Sequence, residues 1–190
     1  MIWIDMDDVL APFQAELMRR HPPSLQEKAL DRVPGTWCLA DELKISNNQF
    51  MEPALARRSQ LAACLGITPW AHTLVEMCER IAGRQNVGIL TSPYHRNNQV
   101  VPSSYDSKMQ WVLRHFPRLA PFTIVSPVKS LIVKRDALID DKEETIEEIK
   151  KQGGTGILWP HIGNSLHAYA HDPFQHFAAH QAHALHLSNS

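Results

Sequence analysis

The sequence predicts an α/β fold, a doubly wound Rossmann-like parallel sheet with a small helical cap inserted after the first strand. Short apolar runs end in polar clusters at three places, helical segments separate these runs, and the stretch 14–68 interrupts the alternation. Strands that are buried on both faces are typically short continuous apolar runs. Strands that alternate with helices typically pair in parallel, which gives the predicted fold class.

The predicted strands and helices alternate along the chain. The first apolar run is MIWI before DMDD, the second is NVGIL before TSP, and the third is ALI before DDK. Further runs are PFTIVSP at 121–127 and TGILWP at 155–160. Helices are predicted over 70–83, 106–116 and 142–152, the last with an acidic first turn, a basic end and a glycine stop. Because ligands bind outside the carboxyl ends of such strands, the polar clusters are expected to converge on one crevice.

The interrupted alternation predicts two units. Residues 1–13 and 69–190 are expected to form the α/β core, and residues 14–68 the helical cap over the crevice. The cap stretch is rich in Arg, Leu, Ala and Gln and is broken by a Pro-Pro pair, a Pro-Gly pair and a further proline. These breaks predict several short helices.

The composition excludes several classes of partner. In the 190 residues, 19 basic and 20 acidic side chains give a formal net charge of -1, so no basic surface for a polynucleotide or an anionic membrane is expected. No apolar run approaches the roughly 18 residues of a membrane helix. Three cysteines without CxxC spacing argue against a disulfide framework or a zinc site. A soluble, cytoplasmic protein without a targeting peptide is expected.

Carboxylates at the predicted strand ends indicate the chemistry. Asp5 and Asp7 follow the first strand at an i, i+2 spacing, so one can serve as a nucleophile and the other as a general acid and base. A carboxylate needs a cation before it can approach a phosphate dianion. Asp140 and Asp141 follow another strand and supply the additional oxygens that Mg²⁺ requires.

Other polar groups are suited to the phosphoryl group itself. Thr91 and Ser92 end the second strand and offer hydroxyls and N–H groups for the phosphoryl oxygens. A lysine beside the nucleophile would neutralise further charge. Lys129 and Lys108 are the two candidates, with Lys134 as a substitute for Lys129.

The ordered set DxDxV, TS, Lys and DD resembles the four motifs of the haloacid dehalogenase superfamily. Within it, the chain is most similar to the 5'(3')-deoxyribonucleotidases. DMDDVLAPF resembles that family's DMDGVLADF, ILTSP its ICTSP, KMQWVLRHF its KYAWVEKYF, and DALIDDK its DLLIDD. The cap segment PGTWCL is similar to a GFWV segment, so the resemblance covers most of residues 1–145.

This resemblance implies a role for each matching residue. Asp5 would be the nucleophile that forms an aspartyl-phosphate, and Asp7 the acid and base. The implied Mg²⁺ ligands are Asp5, the backbone carbonyl of Asp7 and Asp140, with Asp141 supporting the site. Thr91, Ser92, Lys108 and Lys129 would contact phosphate, and the aromatic residues Phe13 and Trp37 would line the nucleoside pocket.

The chain departs from the family pattern at several positions. Asp8 replaces the family's glycine, and a solvated loop charge is the interpretation favoured for it. Thr36 stands where the family has phenylalanine beside the tryptophan, and the family's GFF segment has no match in CLGITPW. Lys129 is followed by one residue more before IDD than the family spacing predicts. These departures allow a reshaped nucleoside pocket.

The predicted function is Mg²⁺-dependent hydrolysis of deoxyribonucleoside monophosphates, with a small phosphorylated molecule as the partner and a homodimer left open. One alternative keeps the chemistry and changes the substrate to a sugar phosphate or another small metabolite. Another alternative is a non-catalytic binding module of the same fold, which the intact acidic residues disfavour. Seven of the 11 histidines lie from His161 to His186 in a predicted C-terminal helix, and His176 and His180 are interpreted as solvent-facing.

Overall fold

The computed structural model describes residues 1–55, 61–131, 133 and 136–187. Its strands are β1 (Ile2–Ile4), β2 (Val87–Thr91), β3 (His95–Arg96), β4 (Gln99–Val100), β5 (Thr123–Val125), β6 (Ala137–Asp140) and β7 (Thr155–Leu158). Its helices are α1 (Phe13–Met18), α2 (Pro23–Leu30), α3 (Leu39–Glu42), α4 (Asn47–Leu55), α5 (Leu61–Cys64), α6 (Ala71–Ala82), α7 (Ser103–His115), α8 (Glu143–Lys151), α9 (Pro173–His180) and α10 (Ala182–Leu187).

The main sheet is parallel and has the order β5-β2-β1-β6-β7. The chain starts in the middle of the sheet, adds β2 and β5 on one side, and then crosses to add β6 and β7 on the other. This order confirms the predicted doubly wound, Rossmann-like α/β fold. The order reverses beside β1, and such a reversal opens a crevice at the carboxyl ends of the neighbouring strands.

Both faces of the sheet are buried, as the continuous apolar runs predict. Ile2, Ile4 and Ile89 face one apolar cluster, to which α6, α7 and α10 contribute, and Trp3 and Leu138 face a second cluster that includes a buried isoleucine of α8. Neighbouring residues of one strand point to opposite faces, so each strand contributes to both clusters.

The predicted helices 70–83, 106–116 and 142–152 are confirmed as α6, α7 and α8, with ends that differ by one to three residues. Acidic side chains in the first turn of α8 and lysines in its last turn complement the helix dipole. Gly153, at φ 85°, follows its end and adopts a conformation that other residues rarely adopt.

The 14–68 stretch contains several short helices, as predicted, and its apolar side chains join the larger cluster of the sheet. Leu17, Phe50 and Leu65 are members of that cluster together with Ile4. The division into a core of residues 1–13 and 69–190 and a cap of residues 14–68 stays a prediction.

The prediction of a single histidine-rich C-terminal helix is wrong. The chain there forms two short helices, α9 and α10, that are separated at Gln181. His161 and His171 lie outside helices, and His167 lies in a 3₁₀ turn, because a tight turn at 161–166 continues the loop that follows β7. Among the described residues, no helix combines the length and the apolar composition needed to cross a membrane.

The sequence interpretation missed the hairpin of β3 and β4. Asn97 and Asn98 connect its strands at φ 50° and 61°, and asparagine tolerates this left-handed conformation better than most residues. The hairpin contacts the cap stretch, where the Asn97 N–H donates to Asn48 Oδ1 at 3.0 Å and Arg96 pairs with Glu52 at 3.1 Å. A short loop of the core therefore supports α4.

Close packing at Gly88 gives a test of this fold. A Cβ atom added at Gly88 would lie 2.6 Å from the Trp3 ring and would also meet the Phe122 carbonyl. We expect Gly88→Ala to lower the free energy of unfolding by about 1–3 kcal/mol, because overpacking displaces neighbours in a buried strand. Urea denaturation measures this change.

Gly66→Ala is the matched control for this measurement, since a Cβ at Gly66 meets nothing within 4 Å. Its free energy of unfolding should stay within roughly 1 kcal/mol of the unmodified protein. Equal denaturation midpoints for the two variants would contradict the packing described around Gly88.

Candidate active site

Three strand ends bring the first set of predicted site residues together. β1 pairs with β2 and β6 so that Ile4 lies beside Ile89 and Ile139. Asp5 follows β1 and its N–H donates to the Ile139 carbonyl at 2.9 Å. Thr91 is the last residue of β2, and Asp140 is the last residue of β6. The register of the parallel strands therefore places these polar residues at one edge of the sheet.

A tight loop after β1 orients the next two carboxylates. The Met6 carbonyl accepts hydrogen bonds from the N–H groups of Leu10 and Ala11. Asp8 has a positive φ of 56°, a backbone conformation that explains why the resembling family has glycine there. The Asp8 Oδ1 atom accepts the Gln14 N–H at 2.9 Å, in the first turn of α1. Asp8 is half-buried and bonded to a helix start, so its interpretation as a solvated loop charge is wrong.

Both candidate lysines lie in this site. The fully buried Lys108 of α7 donates to Asp7 Oδ2 at 2.6 Å and to Thr91 Oγ1 at 2.8 Å. Lys129, in a 3₁₀ turn after β5, lies 2.7 Å from Asp5 Oδ1 and 2.7 Å from Asp140 Oδ2. Lys134, the substitute for Lys129, lies outside the described residues.

The concentration of buried charge shifts the ionisation of these groups. Burial raises the pKa of Asp7, an effect that Asp5 reinforces and Lys108 opposes. Burial also raises the pKa of Asp140. Burial lowers the pKa of Lys129, but the carboxylates of Asp140 and Asp5 outweigh it and hold that pKa above its ordinary value. Lys129 therefore stays charged, and Asp7 is suited to carry a proton.

The acidic groups open onto a cleft of about 280 Å³. Its walls include the predicted pocket residues Phe13 and Trp37 together with Ser92 and Phe50, and its floor is formed by Asp5 and neighbouring carboxylates. Trp37 is partly exposed at the mouth. Most of the predicted site residues thus line one solvent-accessible cleft between the sheet edge and the cap stretch, whereas Thr91 and Lys108 are fully buried and do not line it.

The sequence interpretation missed Tyr94, which supports the buried lysine. The Lys108 Nζ atom lies 4.7 Å from the centre of the Tyr94 ring, within range of a cation–π interaction. The Phe13 ring also stacks on the Tyr94 ring, with the two ring centres 5.0 Å apart. Tyr94 directly follows the TSP motif, but a single tyrosine after a motif carries no pattern that would identify this contact.

The turn 161–166 also contributes to the site, although the sequence assigned it no role. Asn164 is fully buried, and its Nδ2 atom donates to the carbonyls of Asp141 and Trp159 at 2.8 Å each. Its Oδ1 atom accepts the Leu166 N–H at 3.0 Å. Asn164 therefore fastens the loop after β7 to the loop after β6, which carries Asp141.

His161 lies beside these loops and faces Asp141. Burial, with a further contribution from Arg32, lowers the pKa of His161 to about 4. Burial raises the pKa of Asp8 to about 7, despite the hydrogen bond from Gln14. Burial and the nearby Asp8 raise the pKa of Asp141 well above its ordinary value. A neutral imidazole therefore lies next to two carboxyl groups at neutral pH.

The oxygen atoms at the sheet edge are suited to a divalent cation. Ligand atoms of Asp5, Asp140 and Asp141 lie within 4.8 Å of one another. The Asp7 Oδ1 atom is shielded from solvent and accepts no hydrogen bond from the described residues. An all-oxygen ligand set of this kind matches the preference of Mg²⁺. The acidic cluster expected from the sequence is present, and the residues in it fit the predicted metal.

The sheet order and the ordered motifs at its edge resemble those of haloacid dehalogenase-like α/β proteins. No family model matches the chain. Curated relatives named "Putative 5'(3')-deoxyribonucleotidase" from Staphylococcus aureus strains MSSA476 and Mu50 are each 28% identical over 167 residues, which are 86% of this chain and 83% of each relative. These relatives confirm the predicted resemblance to the 5'(3')-deoxyribonucleotidases within the haloacid dehalogenase class.

A solved structure from Burkholderia xenovorans, described as a "putative haloacid dehalogenase-like hydrolase", is also similar. It is 17% identical, the match covers 90% of this chain and 84% of that one, and the TM-score is 0.44.

The bonds of Asn164 lead to a stability prediction. We expect Asn164→Asp to lower the free energy of unfolding by roughly 2 kcal/mol or more, because the isosteric carboxyl replaces a donor between two buried carbonyls with an acceptor. Urea denaturation at pH 8 measures this difference.

Asn98→Asp, at an exposed hairpin position, is the control and should leave the denaturation midpoint nearly unchanged. If the two variants unfold at the same urea concentration, Asn164 does not hold the two loops together as described.

Proposed function

We propose that this chain is a Mg²⁺-dependent phosphomonoesterase that removes phosphate from deoxyribonucleoside monophosphates through an aspartyl-phosphate on Asp5. One observation carries the proposal. Two carboxylates after β1, each within 2.7 Å of a buried lysine, meet Asp140 in a cleft that is open to solvent. The carboxylates can provide a nucleophile and a proton donor, and the lysines can neutralise charge, all within one small volume.

Asp5 is proposed as the nucleophile. One of its carboxylate oxygens forms a bond to phosphorus while the bond from phosphorus to the leaving oxygen breaks. Lys129, at 2.7 Å from Asp5, offsets the repulsion between this carboxylate and a phosphate dianion. Because Asp5 directly follows a paired strand, its backbone is fixed before the substrate arrives.

Asp7 is proposed to transfer the proton in both halves of the reaction. In the first step, its proton passes to the leaving oxygen, which departs as an alcohol. In the second step, the Asp7 carboxylate accepts a proton from the water that attacks the phosphorus, and inorganic phosphate leaves Asp5 free. The raised pKa of Asp7 supports this role, since a general acid works best with a pKa near the operating pH.

Four side chains are proposed to hold the transferred phosphoryl group: Thr91, Ser92, Lys108 and Lys129. Lys108 already joins Thr91 to Asp7, so the same ammonium lies next to the proposed acid and the proposed phosphate site. Positive charge and donors fixed in advance stabilise the charge that spreads over the phosphoryl oxygens in the transition state.

Mg²⁺ is proposed to be held by Asp5, the Asp7 carbonyl and Asp140, with Asp141 as a supporting residue. When bound there, it would supply positive charge between the carboxylates and the phosphate oxygens. The closely spaced oxygens of Asp5, Asp140 and Asp141 support this assignment.

The nucleotide substrate is supported by the aromatic walls of the cleft and by the names of the curated relatives. Phe13 and Trp37 offer ring faces or edges against which a base can pack. A small phosphorylated substrate also agrees with the cleft volume. A cytoplasmic location and the absence of a polynucleotide partner stay predictions, and a homodimer stays open.

A sugar phosphate is the second candidate substrate. The cleft of about 280 Å³ is at the small end of ligand sites, which are typically ~300–1,000 Å³. The Trp37 ring also meets His161 edge to face, with ring centres 5.7 Å apart, which limits the room for a large base. Against a non-catalytic module, all the carboxylates and both lysines that the chemistry needs are retained.

A substrate panel tests the proposed function. We expect Mg²⁺-dependent phosphate release from deoxyribonucleoside monophosphates, with kcat/KM at least ~10-fold above that for sugar phosphates, since the base contributes binding to the aromatic walls. Asp5→Asn should reduce turnover by ~10³-fold or more, because the nucleophile is lost. Phosphate release measures both.

Trp37→Ala separates the two substrate classes. It should raise KM for nucleotides and leave sugar phosphate hydrolysis nearly unchanged. Turnover retained in Asp5→Asn would rule out the mechanism, and faster hydrolysis of sugar phosphates than of nucleotides would select the second candidate.

The ion pair of Lys108 and Asp7 predicts a pH effect. Lys108 lowers the pKa of Asp7, so Lys108→Met should raise that pKa further by about one unit or more. Because the first step needs protonated Asp7, the alkaline limb of the kcat/KM profile should move to higher pH, at a reduced maximal rate.

Lys151→Met, at the exposed end of α8, is the control and should leave the profile unchanged. An alkaline limb that stays in place in Lys108→Met, or moves to lower pH, would show that Asp7 is not the acid governed by Lys108.

A further inference from the structure

The site contains five carboxylates, and they differ in how their charge is balanced. Asp5 and Asp140 share Lys129, and Asp7 is paired with Lys108. Within the described residues, no lysine or arginine forms an ion pair with either of the remaining two, Asp8 and Asp141. Asp8 and Asp141 therefore lie next to each other without a paired lysine or arginine.

Asp141 is the more unusual of these two carboxylates. It is only 4% exposed, and the ion-pair contact that the structure describes for it is with a histidine and not with a lysine or arginine. Buried carboxylates are normally paired with a full positive charge or bind a metal. His161 faces it, with the His161 Nδ1 atom 3.8 Å from Asp141 Oδ2, a distance too long for a hydrogen bond but suited to two ligands of one ion. The same Nδ1 atom accepts the Gly163 N–H at 3.2 Å, a long hydrogen bond that a bound ion would replace.

Asp8 completes a set of three potential ligands. Atoms of Asp8, Asp141 and His161 lie within 4.8 Å of one another. The Asp8 Oδ1 atom accepts the Gln14 N–H, which fixes the carboxyl group and leaves Oδ2 without a hydrogen bond from the described residues. The backbone around His161 is fixed as well, because the His161 N–H donates to Asn164 Oδ1 at 3.3 Å. The three side chains come from separate loops that are each held in place.

The charge of Arg32 lowers the pKa of Asp8, but among the described residues Arg32 forms no ion pair with Asp8 or Asp141. Arg32 donates to the Gln14 side chain, and also to the carbonyls of Thr36 and Trp37 at 2.8 Å and 3.3 Å. Its hydrogen bonds are therefore directed at the cap stretch and not at Asp8 or Asp141.

We propose that Asp8, Asp141 and His161 form a second divalent-cation site next to the proposed Mg²⁺ site, with Asp141 between the two. Two carboxylates and one imidazole are suited to a borderline ion such as Mn²⁺ or Zn²⁺, whereas the all-oxygen set of Asp5 and Asp140 is suited to Mg²⁺. The site depends on Asp8, which replaces the glycine of the resembling family. It does not depend on turnover, so it can be tested by metal binding alone.

Equilibrium dialysis with Mn²⁺ as the probe tests this site. The unmodified chain should bind two Mn²⁺ per chain, and its electron paramagnetic resonance spectrum should show two coupled ions, because Asp141 lies between the sites. His161→Gln and Asp8→Asn should each bind one ion tightly, with the affinity for the second reduced at least ~10-fold. Asp8→Asn keeps an acceptor for the Gln14 N–H and tolerates a positive φ, so it removes little besides the charge.

His176→Gln is the control for adventitious binding by the C-terminal histidines and should still bind two ions. Asp140→Asn removes a ligand of the proposed Mg²⁺ site and therefore shows which ion is bound there. A single ion that is lost in His161→Gln and kept in Asp140→Asn would support the second site and contradict the Mg²⁺ site of the proposed function. Two ions in His161→Gln, a second ion that disappears in His176→Gln, or a single ion unaffected by His161→Gln would overturn the proposal. Thermal melts of each variant without metal verify that it is folded.

Discussion

The bridge of Lys129 between Asp5 and Asp140 is the interaction on which the rest of the site depends. Two carboxylates at the ends of adjacent strands repel each other, and burial makes the repulsion stronger. The ammonium lies 2.7 Å from each of them and is itself almost inaccessible to solvent. Removing one partner from such a buried cluster leaves uncompensated charge, which is strongly destabilising. In the proposed reaction, the same charge balance would also reduce the repulsion between Asp5 and a phosphate dianion.

This bridge is possible because the sheet crosses over at β1. Asp5 and Asp140 come from β1 and β6, while Lys129 follows β5 on the far side of β2. A second buried lysine, Lys108, comes from α7, which packs on one face of the sheet. Elements that are distant in sequence thus place the two lysines at the same edge of the sheet. The strand register alone would bring only the carboxylates together, so the site also needs the helix and the turn that carry the lysines.

Much of the fold could be predicted because a strand that is buried on both faces is a continuous apolar run in the sequence. Apolar runs such as MIWI and ALI mark the strands, and the residue after each run is forced to the sheet edge. For the same reason Asp5, Thr91 and Asp140 could be assigned to one crevice. Lys108 and Lys129 were identified as candidates, but the choice between them could not be made from spacing. The structure brings both to the carboxylates, one from a helix and one from a turn.

The residues that were missed act through contacts without local pattern. Asn164 bonds to carbonyls 23 and 5 residues away, and Tyr94 meets a lysine through its ring face. Neither contact has a periodicity or a characteristic spacing. The extent of the C-terminal helix was overestimated because histidine composition says little about where a chain turns. Asp8 was expected to be solvated because the sequence does not reveal the hydrogen bond that its side chain accepts from the Gln14 N–H at the start of α1.

The proposed selectivity among small phosphate esters depends on the segment around Trp37. The end of the 14–68 stretch is bonded to the rest of the chain, since the Trp111 ring N–H donates to the Leu65 carbonyl and the Thr68 hydroxyl to the Val9 carbonyl. The segment over the cleft is held by the bonds of Arg32 and by a bond from the Gly35 N–H to the Ile162 carbonyl at 2.8 Å. Gly35 has a φ of 86°, so another residue there would strain this connection. Changes in this short segment can therefore reshape the wall of the cleft, while the carboxylates and lysines below keep the geometry that the sheet imposes.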